Sequence, residues 1–446
     1  MSKIRLLGNM NNNNFSMLRY FRALGVDCQL YLYKDECIGS FSHFHPSQDT
    51  FNYEDFRPFI TRIPVSRHPI SLLPAFLRIP IDIFLYISHI LGNSSRPYIW
   101  KNSDFSCLNE LFSSNAIVVG SGLAPAISWL NGFKLTAFYP YSTGVEYLLA
   151  NPEVKRHSRN PILFLVYLYV SHLQAKGIKS AGLVLNAEMG ITESVLNSLG
   201  VRTCHLPIPM YFREDPPTFS VGDQLDEVIR IVERSQFSIL HFSRLHWVQP
   251  IGISSRVWQQ ESKNNMLFFE AFSGFVKSRS VCNVRLVVLS YGKDVDATRR
   301  FLIEQDIEKY VTMLPVQPRK IIGLLLQKCS ISVGEFSSVD QTIFGGTTWE
   351  ALANGCPIIQ SCPFQPDSFY ESFGFPLPPL ISASSVIEIS ESLFRCYDQP
   401  DLTIQLGISS RRWFDTYNGF SLAESWLEAL IRQLGVEQAG LLRDYQ

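Results

Sequence analysis

Along the chain, short apolar runs alternate with segments whose apolar residues recur every three or four positions, the pattern of buried strands separated by half-buried helices. Ile4–Leu7 predicts a first strand, Gly8–Asn14 a polar loop, and Phe15–Leu24 a helix with Phe15, Leu18 and Phe21 on one face. Gly25 falls where a helix C-cap belongs. Cys28–Tyr33 predicts the second strand. Ala116–Val119 runs into Gly120-Ser121-Gly122, Leu135–Phe138 runs into Tyr139-Pro140-Tyr141, and Ala181–Leu185 ends at Asn186, giving three more strands. A second series follows after residue 235. Strands are predicted at Ser238–Phe242, Arg285–Leu289, Val311–Leu314, Ile331–Val333 and Pro357–Gln360, with helices at Asn265–Val276, Arg319–Cys329 and Thr347–Asn354. Ser385 and Ser421, each followed three residues later by Glu, read as capping boxes that open the last helices.

Between the two series, residues 206–220 carry four prolines and no period, which predicts an interdomain linker. The resulting division is an N-terminal domain at 1–205, a linker at 206–234, a second domain at 235–410, and C-terminal helices at 411–446 that pack back on the N-terminal domain. Alternating strands and helices in both halves predict an α/β protein with two doubly wound, Rossmann-like domains. Ligands of such sheets bind beyond the carboxyl ends of the strands, so a cleft faced by both domains is the expected site.

Two stretches come near membrane character. Ile70–Leu91 is apolar but interrupted by Pro74, Arg78, Pro80, Asp82 and His89, and Pro161–Leu173 is too short to span a bilayer. Both read as buried or half-buried helices in preference to a peripheral membrane contact, which is the second reading. Composition excludes other classes. Hydrophobic residues make up 46% of the 446 and charged residues 18%, as in a folded globular chain. With Lys+Arg 39 against Asp+Glu 40 there is no basic surplus to neutralise nucleic-acid phosphates. The nine cysteines are dispersed without a C-x-x-C pair, which speaks for a reducing, cytoplasmic setting and against a disulfide framework or zinc knuckle.

The segment Thr342–Pro357 holds the most chemistry. It delivers Gly345 and Gly346, then Thr347 and Thr348, onto the first turn of a helix that carries Glu350. Glycines let a backbone approach a phosphate, and free N–H groups at a helix start favour an anion. One turn further in, Glu350 is placed to accept the two hydroxyls of a ribose. The plain alternative is a threonine-capped helix start with a solvated glutamate.

The run from Phe344 to Ile359, F-G-x-x-x-x-E-A-L-A-N-G-x-P-I-I, resembles the donor-binding motif of the family 4 retaining glycosyltransferases, which have the GT-B fold. That family carries two glutamates eight positions apart. The second matches Glu350; the first falls on Thr342, a departure at the position that contacts the donor sugar. The family also places one cation after the first strand of the second domain and another at the start of the next helix. Arg244 and Lys263 fill those places, and Val316 matches the position whose backbone reads the base. Two cations gripping a diphosphate stabilise a leaving group without metal, although singly each is an ordinary surface charge. In the N-terminal half, GNMNNNNF, PYSTGVEYL and LNAEM look like segments of bacterial transferases that build surface polysaccharide. Asn11, Asn12, Tyr141, Thr143 and Glu146 become the candidate acceptor-binding residues.

The resemblance implies transfer of a sugar from a nucleotide-sugar to a glycan or lipid-linked acceptor. It implies retention of configuration, with the leaving diphosphate helping to deprotonate the acceptor and with no cofactor or metal. Thr342 keeps a non-catalytic nucleotide- or glycan-binding relative open as a second class. A nucleotide-sugar epimerase on the same scaffold needs titrating pairs that the sequence does not offer. Asp294-x-Asp296 reads as helix capping rather than a metal site. Gly120-Ser121-Gly122 lacks the acidic partner of a dinucleotide loop. His43 and His45 have no third ligand at metal spacing, and His241 and His246 default to packing or surface roles.

Overall fold

The computed structural model describes residues 3–92, 100–113, 116–141, 144–151, 154–155, 161–186, 190–217, 219–251, 258, 262–278, 283–336 and 344–434. One compact unit takes the described residues of Met1–Phe212 and Phe420–Gln446, the other those of Arg213–Asp340 and Phe344–Gly419.

The first unit is built on a seven-stranded sheet, ordered β3-β2-β1-β4-β5-β6-β7 and parallel throughout. Its strands are β1 (Lys3–Leu7), β2 (Cys28–Tyr33), β3 (Ile60–Ile63), β4 (Ala116–Gly120), β5 (Ala137–Phe138), β6 (Leu183–Asn186) and β7 (Thr203–His205). The apolar runs are explained by burial on both faces, as a parallel sheet requires. Leu6, Leu30, Leu32, Val119 and Leu185 point to one side, where Phe15, Leu18 and Phe21 of the helix Asn13–Ala23 meet Leu422, Trp426 and Leu430 of the helix Gly419–Leu434. Leu7, Tyr31, Tyr33, Val118 and Phe138 point to the other, under Ile127 of Ala124–Leu130 and Val166 and Val170 of Pro161–Ser180. Trp426 fixes the last helix by donating from Nε1 to the Pro207 carbonyl at 2.6 Å.

The second unit carries six parallel strands, ordered β10-β9-β8-β11-β12-β13. They are β8 (Phe237–His241), β9 (Val284–Ser290), β10 (Val311–Pro315), β11 (Ile331–Val333), β12 (Ile358–Gln360) and β13 (Ile381–Ser382). Phe268, Phe269, Phe272 and Phe275 of the helix Asn265–Ser278 fill one face of this sheet.

Numbered from its own first strand, each sheet begins 3-2-1-4-5-6, the order of a doubly wound dinucleotide-binding domain. The winding reverses between β1 and β4 in the first sheet and between β8 and β11 in the second. Backbone divergence at such a reversal opens a crevice at the carboxyl ends of the strands.

The structure departs from the sequence reading in several places. Within residues 206–234, the helix Asp223–Arg234 buries Leu225, Val228 and Val232. The box at Ser385 is present in full, with Glu388 accepting from the Ser385 backbone. Ser421, by contrast, lies inside a helix that already begins at Gly419. Asp294 precedes the helix Val295–Glu304 but makes no side-chain cap; its Oδ2 accepts instead from the Trp247 and Val248 amides at 2.6 and 2.9 Å. The apolar stretch after Ile70 forms the helix Ala75–Ile90, whose only buried residue is Asp82, so it is not the buried helix its composition suggests.

Candidate functional site

In the second unit the candidate residues gather at the carboxyl edge of the sheet, around the reversal between β8 and β11. The helix Gly346–Asn354 starts there. Gly345 is its N-cap with extended backbone (φ −69, ψ 164), and no side chain caps it. Leading N–H groups of a helix have no partner within it, and here no side chain among the described residues caps them. The two glycines keep the approach open: a Cβ at Gly345 would meet only Glu335 and Thr347 atoms, at 3.7 Å and beyond, and one at Gly346 only Glu350 Oε1 at 3.8 Å. Thr347 Oγ1 is buried beside them with no hydrogen-bond partner among the described residues. Thr348 is spoken for, donating to Gln360 Oε1 at 2.7 Å.

Lys263 and Glu350 are each held by an ion-pair partner that the sequence pattern does not assign to them. Lys263 Nζ lies 2.5 Å from Glu335 Oε2, with both side chains about a quarter exposed. Glu335 follows β11 and Lys263 precedes the helix after β8, so this pair bridges the reversal point. Glu350 Oε1 lies 2.6 Å from Nε of Arg319, which opens the helix Arg319–Leu326. Arg244 is exposed after β8. Tyr291, just beyond β9, donates to the Phe242 carbonyl at 3.2 Å. Burial raises the Tyr291 pKa, Glu350 and Glu335 raise it further, and Arg244 opposes them. Val316 follows β10 with its side chain 55% exposed. Thr342 lies outside the described residues.

The histidines beside Arg244 belong to the packing. His241 ends β8 fully buried, stacked on Phe269 at 5.1 Å, and burial pushes its pKa down to about 4. His246 lies 3.9 Å from Asp294. Among the described residues no group of three or more His, Cys, Asp or Glu side chains is placed to hold a metal ion.

The first unit has its own recess at its own reversal point, where Gly8 after β1 faces Ser121 and Gly122 after β4. Gly8 needs its positive φ of 85, and Tyr33 Cε2 would sit 3.2 Å from any Cβ there. Tyr33, Glu36, Arg67, Tyr141 and Tyr147 complete the walls. Glu36 accepts from the Asn9 and Tyr33 amides at 2.7 and 3.2 Å. Burial raises its pKa against the Arg67 charge and those two bonds. Burial also works against the Arg67 charge, but Glu36, Tyr147, Tyr141 and Asp35 together outweigh it and raise its pKa.

The asparagine run shapes this loop. Asn9 Oδ1 accepts from Phe15 N at 2.9 Å, Asn12 Oδ1 accepts from Asn9 at 2.8 Å, and Asn14 donates to the Gly8 carbonyl at 2.6 Å. Asn11 and Asn12 are both left-handed (φ 55 and 58), a region asparagine tolerates better than most residues. Asn12 is 1% exposed, whereas Asn11 faces outward. Glu146 is buried and accepts from the Tyr141 amide at 2.7 Å, shaping the loop that carries Tyr141. Thr143 lies outside the described residues.

No protein-family model matches the sequence, and no curated protein matches it. Solved structures match it over nearly their whole length. Sucrose-phosphate synthase from Thermosynechococcus elongatus aligns with TM-score 0.55 and 12% identity, covering 97% of this chain and 99% of that one. TarM from S. aureus, in a variant crystallised with fondaparinux, alpha-GlcNAc-glycerol and UDP, aligns with TM-score 0.54 and 12% identity over 96% and 100%. The pneumococcal O-GlcNAc transferase GtfA, in complex with UDP and GlcNAc, aligns with TM-score 0.53 and 11% identity over 97% and 99%. The fold is GT-B. At these identities the likeness establishes architecture, and function rests on the residues themselves.

Proposed function

We propose that this chain is a glycosyltransferase that takes a sugar from a nucleotide-sugar and passes it to a glycan or lipid-linked acceptor. The observation that carries the reading is the uncapped start of the Gly346–Asn354 helix at the reversal point of the second sheet, with Lys263 and the buried Thr347 hydroxyl beside it. A diphosphate there accepts hydrogen bonds from the helix N–H groups and Thr347 while Lys263 and Arg244 supply positive charge. Glu350, steadied by Arg319, accepts from the ribose, and the backbone at Val316 meets the base. Transfer proceeds with retention and without metal: the cations and the helix N-terminus stabilise the departing diphosphate, whose oxygen takes the acceptor proton on the same face. The protein supplies position and fixed charge rather than a general base. In the first unit, Asn11, Tyr141 and the tyrosine-walled recess hydrogen-bond the acceptor, Asn12 and Glu146 shape the loops that carry them, and Thr143 is a further acceptor-binding candidate.

Calorimetry with nucleoside diphosphates and nucleotide-sugars tests the reading, with and without EDTA. Saturable binding of one nucleotide class, unchanged by EDTA, and a product whose anomeric configuration by NMR equals the donor's are the expected results. Thr342, at the position where related enzymes carry a carboxylate, favours one alternative: a nucleotide-binding relative without turnover. Tight binding with no sugar released from any donor would select it.

A further inference from the structure

The helix Ala75–Ile90 is folded inside out. Its inward stripe, the buried and half-buried positions, comprises Arg78, Ile81, Asp82, Leu85, Ser88 and His89, and so holds all of its charged residues. Its outward surface is aliphatic and aromatic: Phe76 is 74% exposed, Phe84 70% and Leu91 70%, with Ile79, Ile83 and Ile87 between them. Phe164, Leu165 and Leu168 of the helix Pro161–Ser180 are exposed as well. A monomer surface in water rarely keeps so continuous an apolar face without a use for it.

We infer that this face docks on an anionic lipid surface. From Pro74 to Leu91 the fully exposed positions carry no charge and a single hydroxyl, that of Tyr86. A specific protein partner wants about one hydrogen bond for every 100–200 Å² of interface, whereas a bilayer interior asks for none. The rim supplies what a lipid headgroup region recognises. Lys34, Arg78, Lys101 and Arg67 gather with Asp82, Asp35 and Glu36, four cations against three carboxylates. Tyr86 and Trp100 pack with ring centroids 5.6 Å apart, both partly exposed, an amphipathic aromatic pair of the kind that settles at a water–lipid boundary. Sixteen residues give a helix about 24 Å long, which lies in the boundary and does not cross it. No helix among the described residues is long and apolar enough to span a membrane. Apolar insertion and headgroup charge are the two signals that together make peripheral attachment stable. The inference holds whether or not the chain transfers sugar.

The test is co-sedimentation of the full chain with vesicles of phosphatidylcholine alone or mixed with phosphatidylglycerol, alongside sedimentation velocity without lipid. The expected result is binding that needs phosphatidylglycerol, with at least a tenfold loss of partitioning in Phe84→Asp/Ile87→Asp. Lys34→Gln/Lys101→Gln is expected to weaken binding less and to flatten its salt dependence. The aspartate pair alters exposed positions, and an unchanged melting temperature verifies its fold; should it unfold, Phe84→Ser/Ile87→Ser replaces it. The lysine pair, which also neighbours the buried Asp82, is expected to lower the melting temperature and is compared with the parent below its own transition. Three outcomes overturn the inference: no binding to either vesicle, equal binding to both, or a dimer in solution that the Phe84/Ile87 variant dissociates, which would make a second copy of the chain the occupant.

Discussion

The Lys263–Glu335 pair sets up a competition that a single substitution exposes. With 2.5 Å between Nζ and Oε2, Glu335 already occupies the cation proposed to grip the donor diphosphate, and its other oxygen lies 3.7 Å from where a Cβ on Gly345 would stand. A diphosphate seated on the start of the Gly346–Asn354 helix must therefore share Lys263 with Glu335 and tolerate its charge. Two unit negative charges about 5 Å apart repel by about 3 kcal/mol at an effective dielectric of about 20. Partial exposure and salt screening bring the net effect down to about 1–1.5 kcal/mol.

Glu335→Gln removes the repulsion and frees Lys263, so affinity for the nucleoside diphosphate should rise by about tenfold. Lys263→Met should lower it by a similar factor or more. Stability should change by about 1 kcal/mol or less in Glu335→Gln and fall further in Lys263→Met, which leaves the largely buried Glu335 carboxylate without its cation. Calorimetric titration with the diphosphate that binds the parent protein, at low and physiological salt, reads both effects; the gain in Glu335→Gln should shrink as salt rises. An unchanged or weakened affinity in Glu335→Gln, together with an unchanged affinity in Lys263→Met, would refute the placement of the diphosphate at this helix.

Three further outcomes follow from single features. Thr347→Val should leave the melting temperature unchanged or slightly higher, since it deletes a buried hydroxyl that has no partner among the described residues, yet it should weaken diphosphate binding several-fold by calorimetry. Gly177→Ala should destabilise the protein by at least about 2 kcal/mol in urea titrations, because its Cβ would stand 2.0 Å from the Pro125 carbonyl oxygen where two helices cross. His241 has its pKa lowered from 6.5 to about 4, so the unfolded chain takes up the proton first. Stability should be complete above pH 6.5, fall by about 3 kcal/mol as pH drops toward 4, and level off below; His241→Gln should flatten that part of the pH–stability curve measured by denaturant unfolding.

How much of this was readable in advance depended on whether the determining contacts were local. Strands of a parallel sheet covered on both faces carry apolar runs, so Ala116–Gly120 and the Leu286–Leu289 stretch of β9 announced themselves. Local chemistry also fixed the turn at Gly25, with φ 79, and the box at Ser385. The same pattern misled at Ser421, because the helix is already under way at Gly419 before its side chain can cap it. Asp294 was read as a cap, but its carboxylate is drawn across to the amides of Trp247 and Val248, a contact no window of neighbouring residues contains. The functional site divides in the same way. Gly345, Gly346 and Glu350 lie on adjoining turns of one helix and are legible together. Glu335, Arg319 and Tyr291 act from different strand ends, and the sheet order that gathers them is a property of the fold.

The helix Ala75–Ile90 shows the limit most clearly. Arg78, Asp82 and His89 recur at helical spacing, so the sequence divides that helix into a polar stripe and an apolar one. Periodicity establishes that two faces exist and is silent about which of them meets water. The usual assumption turns the apolar face to the core. Here the cations gathered around Asp82 hold the polar stripe inward, and Lys101 N donates to its carboxylate at 3.3 Å. A buried carboxylate is tolerable only where such partners surround it. Once they fix the rotation of the helix, the apolar stripe has nowhere to go but outward. The same charges that invert the helix therefore leave a cationic rim beside an apolar face, and these two features of the docking surface have one physical origin.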